Sequence, residues 1–364
     1  MRQRIQTIDG LRFLAAFGVL WIHTWTSLGN ARYYIGHFDL TNILALGGNG
    51  VDLFFVISGF CMYYFYAAKH KFSYRDFYRF LVKRWVRLSP AFYTATVVYL
   101  LIRIFISQDI NVNAASLFTS VFYLNSIFPR DTAASHFWTL GVEWQFYLVI
   151  PFLLIYQNRI GFKKIFVIIF GLLFLVAIVS VLVIRNRFDL ITDQIFFRGI
   201  EFGCGTVAGR LLLINNIAYF KSRALWLLTF IVITYAGRVM ISNPVLSLSA
   251  NYNNLFKLSG FTLMGAGFSG ILYLAVTSAK WLNLILGNIL FKTMGKISYS
   301  FYLWHPLVIP VVNHYTLIYM PFAKGITAPV LSTCISAIIL YPISILSYNM
   351  LEKPFLSVGN LTTK

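Results

Sequence analysis

Arg12 and His23 stand eleven residues apart inside an otherwise apolar run, IDGLRFLAAFGVLWIHTW. At 100° per residue, eleven positions pass three full turns by about 20°, so on a helix both side chains share one face, roughly 16 Å apart. Ionisable groups are costly in lipid, and two on one face imply that this face looks into a polar cavity. An imidazole can act as a general base and a guanidinium can anchor an anion, which makes the pair a chemical lead.

Two carboxylates bear on the histidine. Asp52 lies in GGNGVDLFFVISGF and Glu143 in SHFWTLGVEWQFY, each near the start of its own apolar segment. With a cytoplasmic N-terminus, His23 falls about fifteen residues, or roughly 22 Å, into the first span, in the outer half of the membrane. Asp52 and Glu143 fall near the outer ends of inward-running spans, so the three groups are expected to converge at similar depth. A carboxylate beside an imidazole raises its basicity and fixes its tautomer. Both are candidate partners of His23; the alternative for each is that it neutralises a neighbour or reaches headgroup water.

At the opposite, inner face the pattern is cationic. Arg84 and Arg87, in VKRWVRLSP, are three residues apart and adjacent on a helix face, and Arg12 enters from the first span. Three guanidinium groups can hold a phosphorylated cytoplasmic ligand through forked, charge-assisted hydrogen bonds. Ordinary cytoplasmic loop charge competes with this reading for any one of them, and it accounts for Lys69, Lys71, Arg75, Arg79 and Lys83. Asp9, three residues before Arg12, is placed to pair with it, and Arg198 with Glu201 forms a second i,i+3 pair of structural character.

Other residues carry weaker signals. His305, in KISYSFYLWHP, suits a hydrogen-bonded core histidine or a cavity-lining one, and Tyr302 shares its face. Ser58, in VISGF, has no histidine nearby in sequence, and Gly59 beside it suggests close helix packing. Cys61, Cys204 and Cys334 lie in separate apolar segments without metal-ligand spacing, so buried thiols are expected and no metal site. No GxSxG elbow, P-loop or GxGxxG is present.

The elements that must position these groups follow from composition. Of 364 residues, 59% are hydrophobic and 11% charged, and the mean hydropathy is +0.73. Such a chain is an integral membrane protein with an all-α helix bundle. Its 18% aromatic content suits lipid-facing helices and interfacial belts. Apolar windows of crossing length appear at about 8 to 28, 46 to 66, 90 to 107, 142 to 157, 165 to 184, 195 to 214, 224 to 241, 258 to 277, 297 to 313 and 328 to 349. About ten transmembrane helices are therefore expected, with WLNLILGNILF as a candidate interfacial helix.

Charge orients the bundle. With this count, inner segments hold 20 Lys and Arg and outer segments 8, which puts both termini in the cytoplasm. The net charge of +19 then reflects cytoplasmic loops and anionic lipid, and no soluble domain remains to bind nucleic acid. Arg2 and Arg4 before an apolar run imitate a signal peptide, but Asp9, Arg12 and the bulky Trp21, His23 and Trp25 argue for a retained first helix.

Taken in order, these motifs resemble the membrane-bound acyltransferase family 3, which includes O-acetyltransferases acting on bacterial surface sugars. The resemblance covers nearly the whole chain, as one domain over 1–364. It rests on Arg12 to His23, on Phe54, Phe55, Ser58, Gly59 and Phe60, on Arg84 and Arg87, on Leu140, Glu143, Phe146 and Tyr147, on ISYSFYLWHP, and on the terminal LEKPF with Glu352 and Pro354. Thr139 stands where the family has serine.

The resemblance implies transfer of an acyl group, usually acetyl, from cytoplasmic acyl-CoA to a hydroxyl of an extracytoplasmic or lipid-linked glycan, in a bacterial cytoplasmic membrane. His23 would be catalytic with Glu143 assisting, Asp52 staying a second candidate, and Arg12, Arg84 and Arg87 would bind coenzyme A phosphates. Ser58, Tyr302 and His305 are then candidate substrate contacts. Many relatives carry a further C-terminal SGNH-type hydrolase domain; here that step is expected to be absent or supplied in trans. Direct attack and transient acylation of His23 both fit. Intramembrane charges also permit a transporter or flippase for a lipid-linked sugar or acidic metabolite, although no inverted repeat is visible.

Overall fold

A computed structural model describes residues 5–30, 32–67, 72–109, 112–129, 131–184, 189–214, 222–242, 250–277, 280–323 and 325–356. Among these residues ten long helices dominate: α1 (Gln6–Ser27), α2 (Gly50–Tyr66), α3 (Tyr74–Phe105), α4 (Trp138–Ile160), α5 (Phe162–Val183), α6 (Ile195–Leu213), α7 (Arg223–Ser242), α8 (Ala250–Thr277), α9 (Ser298–Tyr319) and α10 (Thr327–Ser347). Each apolar window read from the sequence overlaps one of them. The only β structure among the described residues is a two-residue hairpin, Tyr34–Ile35 against Phe38–Asp39.

Seven helical segments are long and apolar enough to cross a membrane: Thr41–Tyr66, which ends in α2, and those formed by α3, α4, α5, α7, α8 and α10. The other three, α1, α6 and α9, hold polar and charged residues that dilute their hydropathy: Asp9, Arg12 and His23; Arg198, Glu201 and Arg210; His305, Asn313 and His314. In α5, by contrast, the mean hydropathy reaches 3.3, and Val167, Leu172, Leu175 and Val179 face outward as a lipid surface would require. Of the cations counted for orientation, Arg2, Arg4, Lys69, Lys71, Arg130, Arg185, Arg187, Lys221, Lys324 and Lys364 lie outside the described residues.

Small residues set how the polar helices pack. A Cβ on Gly59 would collide with the carbonyl oxygen of Phe202, and one on Gly205 with that of Val56, so α2 and α6 touch backbone to backbone. Without a hydrophobic force between helices in lipid, such close approach is what binds them, as Gly59 suggested. Gly50 meets the carbonyl of Ala15 in the same way and seats α2 on α1. The WLNLILGNILF segment is divided between two short helices, Lys280–Leu286 and Ile289–Lys296, the second capped by the Asn288 side chain. Its Gly295 lies against the backbone of Asp9 and brings Lys296 beside the start of α1.

Helix α3 is the longest at 32 residues, about 48 Å, and outruns a hydrocarbon core of roughly 30 Å. Its first turn is fixed by a capping box between Ser73 and Asp76. Arg84 and Arg87 sit in the stretch between this cap and Pro90.

Candidate active site

The three candidate anion-binding arginines converge. Arg12 of α1 and Arg84 and Arg87 of α3 line one cavity of about 120 Å³, joined there by Lys296. Arg84 is held rigidly: its guanidinium donates to the Tyr66 hydroxyl at 3.0 Å and lies over the rings of Tyr66, Phe80 and Tyr147. Arg12 reaches Asp9 at 3.8 Å and the Cys61 sulfur at 3.7 Å. A second cavity of about 240 Å³ shares Arg12, Arg84, Arg87 and Lys296 and adds Asp9 and Glu352. Four cations thus stand at the junction of two spaces, an arrangement suited to a multiply charged anion.

From this cationic end the first cavity runs past Ser58, Glu143 and Tyr147 to Thr139 and Tyr302. Antiparallel helices explain the order: α9 leads from Ser298 to Tyr302 as α4 leads back from Tyr147 to Thr139. Both Ser58 and Tyr147 donate to one Glu143 oxygen, at 2.7 and 2.5 Å. The hydroxyls of Thr139 and Tyr302 are 2.9 Å apart, and Tyr302 donates to the His136 carbonyl at 3.0 Å.

Beyond Tyr302 lie three imidazoles. The ring centroids of His23 and His305 are 5.1 Å apart, and those of His136 and His305 are 5.3 Å apart. His305 and His136 are buried whereas His23 is exposed. Nδ1 of His305 lies 2.6 Å from the Tyr302 carbonyl oxygen. That carbonyl is free to accept because its helical partner would be the N–H of residue 306, and Pro306 has none. A carbonyl cannot donate, so Nδ1 carries the proton and Nε2 is left with its lone pair. His136 directs Nε2 to the Leu303 carbonyl at 3.3 Å. Sequence reading did not single out His136, although the SHFWTLGVE segment contains it.

The expected convergence of Asp52 and Glu143 on His23 is not what the structure places together. Asp52 accepts from Arg198 Nη1 at 2.7 Å and from Asn49 at 2.8 Å, and the same Nη1 reaches Glu201 at 3.1 Å. The Arg198–Glu201 pair exists as expected, with Asp52 as its third member. Glu143 belongs to the arginine-lined cavity instead. Backbone contact between α2 and α6 at Gly59 accompanies the facing of Asp52 toward Arg198. Removing the guanidinium would leave two buried carboxylates without their cation, so Arg198→Ala is expected to cost about 3–5 kcal/mol. The loss should be visible as a lowered unfolding temperature in detergent, with partial recovery when Asp52→Asn is added.

Serine 58 and His305 therefore take different places: Ser58 is bound to Glu143 in the cavity, and His305 is a buried member of the histidine group. Glu352, noted only within the terminal LEKPF, is buried and accepts from Ser300 at 2.5 Å. It is carried on a π-helical turn, Tyr348–Glu352, that continues α10. No group of metal-ligating side chains occurs among the described residues.

The helical bundle thus holds a cation-lined cavity that ends at Tyr302, with the histidine group packed beside that tyrosine. Comparison with known proteins gives the family. An acyltransferase domain matches residues 5–349, and the chain belongs to that family, acyltransferase family 3. It is 25% identical, over 98% of its length, to the peptidoglycan O-acetyltransferase OatA of Listeria monocytogenes, and covers 57% of that protein. Identity is also 25% to a putative O-acetyltransferase of Staphylococcus aureus, with 98% of this chain and 58% of the relative aligned. A Haemophilus influenzae uncharacterized protein is 33% identical over 36% of this chain and 59% of its own. The chain thus spans less than three fifths of the first two relatives. No solved structure matches it.

Proposed function

We propose that this membrane O-acyltransferase moves an acyl group, acetyl in the simplest case, from cytoplasmic acyl-CoA to a hydroxyl of an extracytoplasmic or lipid-linked glycan. The observation that carries the reading is the continuity of the site: four cations at one end of the cavity, Thr139 and Tyr302 at the other, and the histidines directly beyond. Arg12, Arg84 and Arg87 hold the coenzyme's phosphates, assisted by Lys296. Its pantetheine arm follows Ser58 and Glu143 toward Tyr302. His23 removes the proton from the acceptor hydroxyl as the oxygen attacks the thioester carbonyl; the carbon–sulfur bond breaks and the thiolate leaves with that proton. Glu143 organises the cavity through Ser58 and Tyr147 and offsets the arginines' charge.

This mechanism needs the donor site inside and His23 toward the outside, and it fits a bundle of about ten crossings with both termini cytoplasmic, in a bacterial cytoplasmic membrane. The described chain acts as one acyl-transfer unit. Peptidoglycan, named for the Listeria relative, is one acceptor of the right chemistry; other surface glycans share its sugar hydroxyls.

The test is reconstitution into liposomes with labelled acetyl-CoA on one side and glycan on the other. Ester-linked label on the glycan, identified by mass spectrometry, is expected. Movement of a lipid-linked sugar without donor, and no ester with it, would replace this reading by a flippase.

A further inference from the structure

The proposed reaction leaves one requirement unmet, and this inference rests on that reaction. A histidine base works when one ring nitrogen is held by an acceptor, so that the other presents its lone pair to the substrate. Carboxylates commonly supply that acceptor. Here neither candidate does: Asp52 is bound to Arg198 and Asn49, and Glu143 to Ser58 and Tyr147.

The group facing His23 is His305. Its ring is 1% exposed as a residue, its Nδ1 is committed to the Tyr302 carbonyl, and its Nε2 has no hydrogen-bond partner among the described residues. An open, buried lone pair costs free energy unless it is matched, so one within reach of the base calls for a donor. With ring centroids 5.1 Å apart and planes inclined by 46°, rotation of the exposed His23 ring suffices to aim an N–H at it. Catalytic hydrogen bonds of this kind often close only in the substrate complex.

We propose that His305 is the positioning residue for His23: its Nε2 accepts an N–H of His23 and leaves the other His23 nitrogen as the open base. The orientation originates in the His305-Pro306 dipeptide. Pro306 frees the Tyr302 carbonyl, the carbonyl fixes the proton on Nδ1, and the fixed proton keeps Nε2 an acceptor. When His23 takes the hydroxyl's proton, the resulting imidazolium keeps its N–H on His305, and the same proton then passes to the departing thiolate.

Two amides separate this role from packing. In His305→Gln the amide reaches the position of Nε2 and can still accept; in His305→Asn it reaches only the position of Nδ1. His305→Gln is expected to keep kcat within about tenfold of the parent and His305→Asn to lose about 100-fold, with KM for acyl-CoA and glycan unchanged in both. Equal losses, or a better His305→Asn enzyme, would overturn the proposal. Pro306→Ala tests it without touching either histidine, because it supplies an N–H that draws the Tyr302 carbonyl back into the helix. Its kcat should fall several-fold at constant KM, and an unchanged kcat would count against the proposal even if an amide variant failed to fold. Measuring His23→Ala alongside distinguishes the two levels: an active His23→Ala removes the proposed base, whereas an inactive one with an indifferent position 305 removes only its partner.

Discussion

Reconstituted His23→Ala should lose about 1,000-fold in acyl transfer while still accumulating in the membrane and binding acyl-CoA with parental affinity. General-base catalysis contributes about 100- to 10,000-fold, so the expected loss lies in the middle of that range. Binding is spared because His23 does not line the arginine cavity, and Arg12, which does, lies about 16 Å from it along α1. The fold is spared because His23 is exposed and makes no side-chain hydrogen bond among the described residues. The discriminating measurement is single-turnover transfer from pre-bound acyl-CoA, which removes donor affinity from the comparison. Ester formation within tenfold of the parent would end the catalytic assignment.

The second large effect concerns the donor. Replacing both Arg84 and Arg87 by alanine is expected to raise the acyl-CoA dissociation constant by about 100-fold or more. A hydrogen bond to a charged group contributes about 1.5–3 kcal/mol, and two are removed. Lysine should not restore Arg84, since the guanidinium lies near three aromatic rings while donating to Tyr66, a combination an ammonium cannot copy. Parental binding should also weaken with added salt, because phosphate recognition by a cationic cluster is screened. Isothermal titration in detergent reads both effects; an unaltered dissociation constant in the double variant would refute the anchor.

Much of this site is legible in the sequence because hydropathy and charge report position along the membrane normal. Arg12, Arg84 and Arg87 were expected on one side and they meet. Each apolar window overlaps a long helix for the same reason: satisfying every backbone group in lipid leaves little choice of conformation. Position around a helix axis is another matter. Asp52 and His23 lie on different helices, and which helix each faces depends on backbone contacts at Gly50, Gly59 and Gly205 that hydropathy does not encode. Lys296 looked like any inner cation until Gly295 packed it beside Asp9. His136 precedes α4 on a short 3₁₀ turn, Ser135–Phe137, where periodicity gives no direction.

Pro306 has a consequence for engineering. A proline inside a helix usually costs about 3 kcal/mol or more, so a stability screen would favour its removal. The hardier protein that results should be the slower enzyme, because the irregularity in α9 is what points one imidazole at another. Selection for heat resistance and selection for turnover therefore pull in opposite directions at this one position, and a thermostabilised variant that keeps full activity should be found to have kept its proline.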